Sequence, residues 1–150
     1  VTSVDESETI GGDRKIYFHI TTVKEVTITD FAVETADDGA MSDVETIGGT
    51  GNDIVIEPSG AYSEGSADGK GSGYTTDGTV YPLDANATVG ADGRANVTIS
   101  EFITADGSTY TFNTGDSEFT TQTGPWDLAI TLGFRDGSDV TFYLDVPDGG

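Results

Sequence analysis

"WDLAITLGFRDGSDVTFYLDV", residues 126–146, carries the strongest pattern in the chain. Trp126, Leu128, Ile130, Leu132 and Phe134 fall on every second position. After Arg135-Asp136-Gly137-Ser138-Asp139 the same beat resumes with Val140, Phe142, Leu144 and Val146. Side chains of a strand alternate between its two faces, so apolar residues at period two mark a strand with one buried side. Two such strands around an Asp-Gly pair form an antiparallel hairpin, because Asp-Gly supplies the positive φ that tight turns demand. The expected core side runs from Trp126 to Phe134 and from Val140 to Val146. The expected solvent side is Asp127, Ala129, Thr131, Thr141, Tyr143 and Asp145.

The same reading extends outward along the chain. Ile16, Phe18 and Ile20 alternate with Tyr17 and His19. Val26 and Ile28 open another strand, but Phe31 and Val33 sit out of phase with them, so a β-bulge is expected near Thr29-Asp30. Ile54-Val55-Ile56 is a short continuous apolar run. Val80, Tyr81 and Leu83 suit an edge strand, since Pro82 has no amide to donate to a ladder. Val97, Ile99 and Ile103 form a further strand, followed by Tyr110 and Phe112. No apolar series has helical spacing, and Thr, Val, Tyr and Phe favour strands. Seven Asp-Gly pairs, at Asp38, Asp68, Asp77, Asp92, Asp106, Asp136 and Asp148, punctuate the strands. Together these predict an all-β, immunoglobulin-like antiparallel sandwich of about seven to nine strands. Residues 1–150 read as a single domain. Residues 59–79 are rich in Gly and Ser, with Tyr62 and Tyr74 as their large side chains, and read as a surface loop or insertion. Residues 1–10, with Val1, Val4 and Ile10, read as a frayed tail, a first strand, or a strand lent to a neighbour.

Composition narrows the function. The chain holds 27 acidic and 6 basic side chains, a net charge of −21. Phosphate binding requires a basic footprint, so nucleic acid is excluded as a partner, and anionic membrane surfaces are disfavoured for the same reason. An acidic chain with few aromatics can be disordered, but the period-two order of its apolar residues argues for a fold. Lys occurs only at Lys15, Lys24 and Lys70. A surface of carboxylates with few lysines is expected of a protein adapted to high salt, which screens their repulsion and without which stability should fall. There is no Cys, which removes disulfides and thiolate chemistry. No apolar run approaches the ~18 residues of a membrane span. A first residue of Val is expected of a processed or truncated chain, from which any signal or anchor segment has gone. Asn86-Ala87-Thr88 and Asn96-Val97-Thr98 are N-glycosylation triplets, consistent with an extracellular, cell-surface location.

Catalytic signals are sparse. His19 is the only imidazole and is expected on the outward face of its strand; a triad needs a base beside a nucleophile, and no nucleophile motif is present. "GSADGKG" (65–71) has too few residues between its glycines and lacks Ser or Thr after Lys70, so it is not a phosphate loop. Calcium needs several oxygens from a tight loop, for which Asp37, Asp38 and Asp43, or Asp136 and Asp139 with Asp106 nearby, are the candidates. None matches an EF-hand. A glycosidase pair would need a cleft lined by aromatics, and Trp126, the only Trp, is in phase with the core. No cofactor and no enzymatic activity are expected.

Four segments resemble exported haloarchaeal proteins of the type IV pilin-like kind. They are "KEVTITDFAVET" (24–35), "GTVYPLDANATV" (78–89), "NVTISEF" (96–102) and "GPWDLAITLGFRDGSDVTFYLDV" (124–146). The last is similar to the "V-T-L-x-F-x-D-G-S-x-x-T-F" hairpin that closes those proteins. The resemblance implies a β-sandwich head behind an N-terminal hydrophobic helix that polymerises in a filament core. This sequence departs from the pattern because it lacks that helix. Either the helix has been removed, or Val1 to Ile10 serve instead as a donor strand completing the next subunit's sheet. The expected function is therefore a structural subunit of an extracellular filament or pilus of a halophilic archaeon, partnered by copies of itself. The rival expectation is a binding module for cell-surface glycans or for Ca²⁺-dependent adhesion.

Overall fold

The computed structural model describes residues 2–9, 15–48, 52–60, 62–68, 73–110 and 118–146; at 2–9, 17, 52, 68 and 118 it describes the backbone alone. Thirteen strands occur among the described residues. In chain order they are β1 (Thr2–Thr9), β2 (Lys15–Thr22), β3 (Val26–Thr35), β4 (Val44–Ile47), β5 (Asn52–Pro58), β6 (Gly65–Asp68), β7 (Tyr74–Thr75), β8 (Asp77–Val89), β9 (Arg94–Ser100), β10 (Phe102–Thr104), β11 (Glu118–Thr120), β12 (Leu128–Phe134) and β13 (Asp139–Asp145). Among the described residues no helix is long and apolar enough to cross a membrane.

Ten strands make one sheet in the order β1-β2-β9-β5-β6-β8-β3-β12-β13-β11, and β10-β4-β7 make a small second sheet. Every ladder is antiparallel. The large sheet is two five-stranded halves joined at one residue pair, Ser66 with Ala85. The halves fold onto each other: Phe18 of β2 meets Phe119 of β11 at 5.9 Å and Phe142 of β13 at 5.6 Å between ring centroids. Their inner faces, with Val44, Ile47 and Phe102 from the small sheet and Met41 from the turn before it, form one apolar core. This is the all-β antiparallel sandwich expected from the alternation.

The bulge appears where the phase of the apolar residues changes. Both ladders of β3 shift register between Ile28 and Asp30, so Ile28 and Phe31 are both buried although three residues apart. The 126–146 hairpin closes through Arg135-Asp136-Gly137. Phe134 N–H donates to Ser138 O at 2.8 Å, Gly137 N–H donates to Phe134 O at 3.0 Å, and Gly137 has φ +91°. That is the three-residue loop whose last position requires a left-handed backbone, hence glycine.

Three expectations are corrected. The Gly/Ser-rich stretch 59–79 is not a bare loop: β6, β7 and the start of β8 lie in it. Short strands rich in Gly need no apolar alternation when their neighbours supply the ladder. At Gly65 a Cβ would lie 2.7 Å from Ala87 Cβ, so its missing side chain lets β6 seat against β8. Tyr74 docks the small sheet, its ring meeting Phe31 edge-on at 4.9 Å and Tyr81 at 4.8 Å between centroids. Secondly, Val97, Ile99 and Ile103 do not share a strand. Glu101 has φ +62°, and there the chain leaves β9 for β10 of the second sheet. Thirdly, Val140 is half-buried instead of fully inside, and Ala129, expected on the solvent side, is buried. The edge reading of Val80 and Pro82 fits the ladders: over Asp77–Asp84, β8 pairs with β3 alone. Phe112 and Lys70 lie outside the described residues.

Candidate functional site

A hollow of about 800 Å³ opens where the 36–39 turn after β3 meets the segment leading into β12. Glu34, Asp37 and Asp38 line it together with Thr123, Pro125 and Trp126. Trp126 is half-buried, not a core residue, and its ring meets Tyr143 edge-on at 5.3 Å and 65°. The expected phase is reversed here: Asp127, assigned to the solvent side, is buried while Trp126 is only half-buried.

The reason is hydrogen bonding. Asp127 Oδ1 accepts from Ala40 N–H at 2.8 Å, and Oδ2 accepts from Val146 N–H at 2.9 Å. Its own N–H donates to Leu144 O at 2.8 Å, and its carbonyl accepts from Ala36 N–H at 3.0 Å. Four bonds tie the 36–40 turn, the entry to β12 and the exit from β13 to one residue. A Cβ at Gly39 would lie 2.5 Å from Asp127 Oδ1, so glycine is what lets the turn close over the carboxylate. Buried backbone amides must find acceptors, and meeting that need turns Asp127 inward and Trp126 outward into the cleft. Nothing local in the sequence marks this, because one of the amides lies 87 positions away.

The other aspartates do different work. Asp106 Oδ1 accepts from Thr104 Oγ1 at 2.6 Å and Ser108 N–H at 2.9 Å. Asp136 Oδ1 accepts from the Ser138 hydroxyl at 2.5 Å and its N–H at 2.9 Å. Asp77 Oδ1 accepts from the Thr79 and Thr75 hydroxyls. Each is the Asp of an Asp-Gly turn, and these bonds hold each carboxyl below the usual carboxylate range. Asp37 and Asp38 stand exposed on the cleft rim, Asp43 is exposed beyond it, and Asp139 opens β13. Among the described residues no group of three or more His, Asp or Glu converges as a metal ion would require.

A lowered folded pKa stabilises the fold above the unfolded value near 3.9, and that contribution is lost as pH falls through the folded value. The double variant D106A/D136A should therefore have a lower urea midpoint than the parent at about pH 5, with the gap closing towards about pH 2. Urea titrations of both proteins at fixed ionic strength test this; a gap constant across that range would contradict the turn assignment.

His19 lies half-buried on the outward face of β2, opposite Asn96 of β9, and its Nδ1 hydrogen-bonds Asn96 Oδ1. Asn96 and Asn86 are both exposed. Asn86 falls in the part of β8, Leu83 to Asn86, that the β3 ladder skips. Val1 and Ile10 lie outside the described residues, while Val4 pairs with Ile20 through the backbone. Compared with protein-family models, curated proteins and solved structures, the chain matches none.

Proposed function

We propose that the chain is a non-catalytic structural subunit of an extracellular filament of a halophilic archaeon, joined to its neighbours by exchange of strand β1. The observation that carries this reading is the place of β1. It is an end strand of the large sheet, laddered to β2 over Thr2↔Thr22 to Thr9↔Ile16, and it runs close to β11, the strand at the other end. A strand held by one ladder and facing a second edge can be replaced by the same strand from another copy with no change of side-chain chemistry. Exchange of that kind links subunits head to tail, the arrangement that builds open filaments. The net charge of −21 and the two glycosylation triplets, whose asparagines are exposed, support an exported, salt-rich setting.

Removing residues 1–10 tests it, with electron microscopy and sedimentation in molar KCl. The intact chain should polymerise; the shortened chain should stay monomeric and capture a synthetic peptide of residues 1–10. Filaments that form equally without those residues, or an intact chain that stays monomeric at every concentration, would overturn the proposal.

A further inference from the structure

We infer that the cleft at Trp126 and the trough beside it form one binding site for a segment of a linear, uncharged polysaccharide. The trough, about 170 Å³, lies on the outer face of β3, β12 and β13, and shares Glu34 with the cleft. Its shape follows from the register. Glu34 pairs with Ala129 and Ala129 with Tyr143, so a small side chain sits between two long ones across three strands. In the next row the Thr131 and Thr141 hydroxyls meet at 2.8 Å and form a polar floor. Trp126 lines the cleft and Tyr143 the trough, and the two rings touch. The result is an open path with two aromatic rings in succession along it.

The lining selects the ligand. It offers the carboxylates of Glu34, Asp37 and Asp38 and several hydroxyls, but no Lys, Arg or His. Acceptors therefore outnumber donors, and the favoured ligand brings many hydrogen-bond donors and no negative charge. Uronates, sulfated sugars and phosphates are repelled. An organic cation fits the charge, but tight capture of a cation needs aromatic faces around one point. Here Trp126 lines the cleft and Tyr143 the trough, so the two rings follow one another along the path and do not surround one point. A neutral sugar chain fits both features, since its hydroxyls donate to carboxylates and the C–H faces of successive rings pack on aromatic side chains. The inference stands apart from the filament reading, because a single subunit carries the whole path.

Trp126 is the only tryptophan, so its fluorescence reports this site alone. Intact protein at constant molar salt is titrated with linear gluco-, manno-, galacto- and N-acetylhexosamine oligosaccharides of increasing length, alongside tetramethylammonium. At least one neutral series should give a saturable emission change, with affinity rising with length until the path is filled. Calorimetry should show that W126A loses about tenfold or more in affinity, whereas W126F retains most of it. Y143A should weaken the longer chains and leave the shortest unchanged. Circular dichroism melting of each variant separates lost binding from lost fold. No response to any neutral series, a response to tetramethylammonium alone, or unchanged affinity in a folded W126A would overturn the inference.

Discussion

Asp127→Ala is expected to lower the unfolding free energy by about 3 kcal/mol, because it strips the acceptor from two backbone amides at about 1–3 kcal/mol each. The carboxylate is buried, with its two bonds at 2.8 and 2.9 Å to Ala40 and Val146. Water cannot replace it at full strength without opening the 36–40 turn. Asp127→Asn keeps one acceptor oxygen and turns an amide group towards the other N–H, so it should lose roughly half as much. Urea unfolding at fixed molar salt, followed by circular dichroism, measures both. Amide exchange should also quicken at Ala40 and Val146 in the Ala variant before global unfolding sets in. A D127A chain within about 0.5 kcal/mol of the parent would show that the two amides find other acceptors.

Phe18→Ala should cost more, about 3–5 kcal/mol, the range for deleting a fully buried aromatic side chain. Phe18 is 0% exposed and lies where the first half of the large sheet meets the second. Its ring contacts Phe119 at 83° and Phe142 at 58°, so its loss empties the seam between the halves. Phe18→Leu refills most of the volume and should cost less than about 1.5 kcal/mol. Since small domains are stable by about 5–15 kcal/mol in total, F18A should approach the limit of folding at room temperature. A double-mutant cycle with Phe119→Ala should show a coupling of at least about 0.5 kcal/mol, as contacting residues do. Additive effects would mean that the halves do not meet through these rings.

The same division between local and distant causes explains which parts of the site were legible in the chain itself. The bulge at Thr29 was, because the switch of phase from Ile28 to Phe31 is written in adjacent residues. So was the Arg135-Asp136-Gly137 turn, where Gly supplies a φ of +91°. The cleft was not. Period two places Trp126 inside, and only the demand of distant amides for an acceptor puts Asp127 there instead. The candidate calcium aspartates Asp106 and Asp136 had no spacing to separate them from turn residues; the neighbouring hydroxyls and N–H groups that occupy them are visible in the fold.

By itself the sequence determined that this is an all-β chain with one-sided strands, where its strongest hairpin turns, and that its surface is densely anionic. Those properties depend on the residue itself and on neighbours a few positions away, where alternation and turn chemistry act. The tertiary structure alone decided the strand order, with β9 between β2 and β5 and β3 between β8 and β12. It alone turned Gly65–Asp68 into a strand, broke the chain at Glu101, and moved the single tryptophan from core to cleft. Each is settled by hydrogen bonds or packing between residues far apart in the chain, and a local pattern carries no information about a partner it has yet to meet.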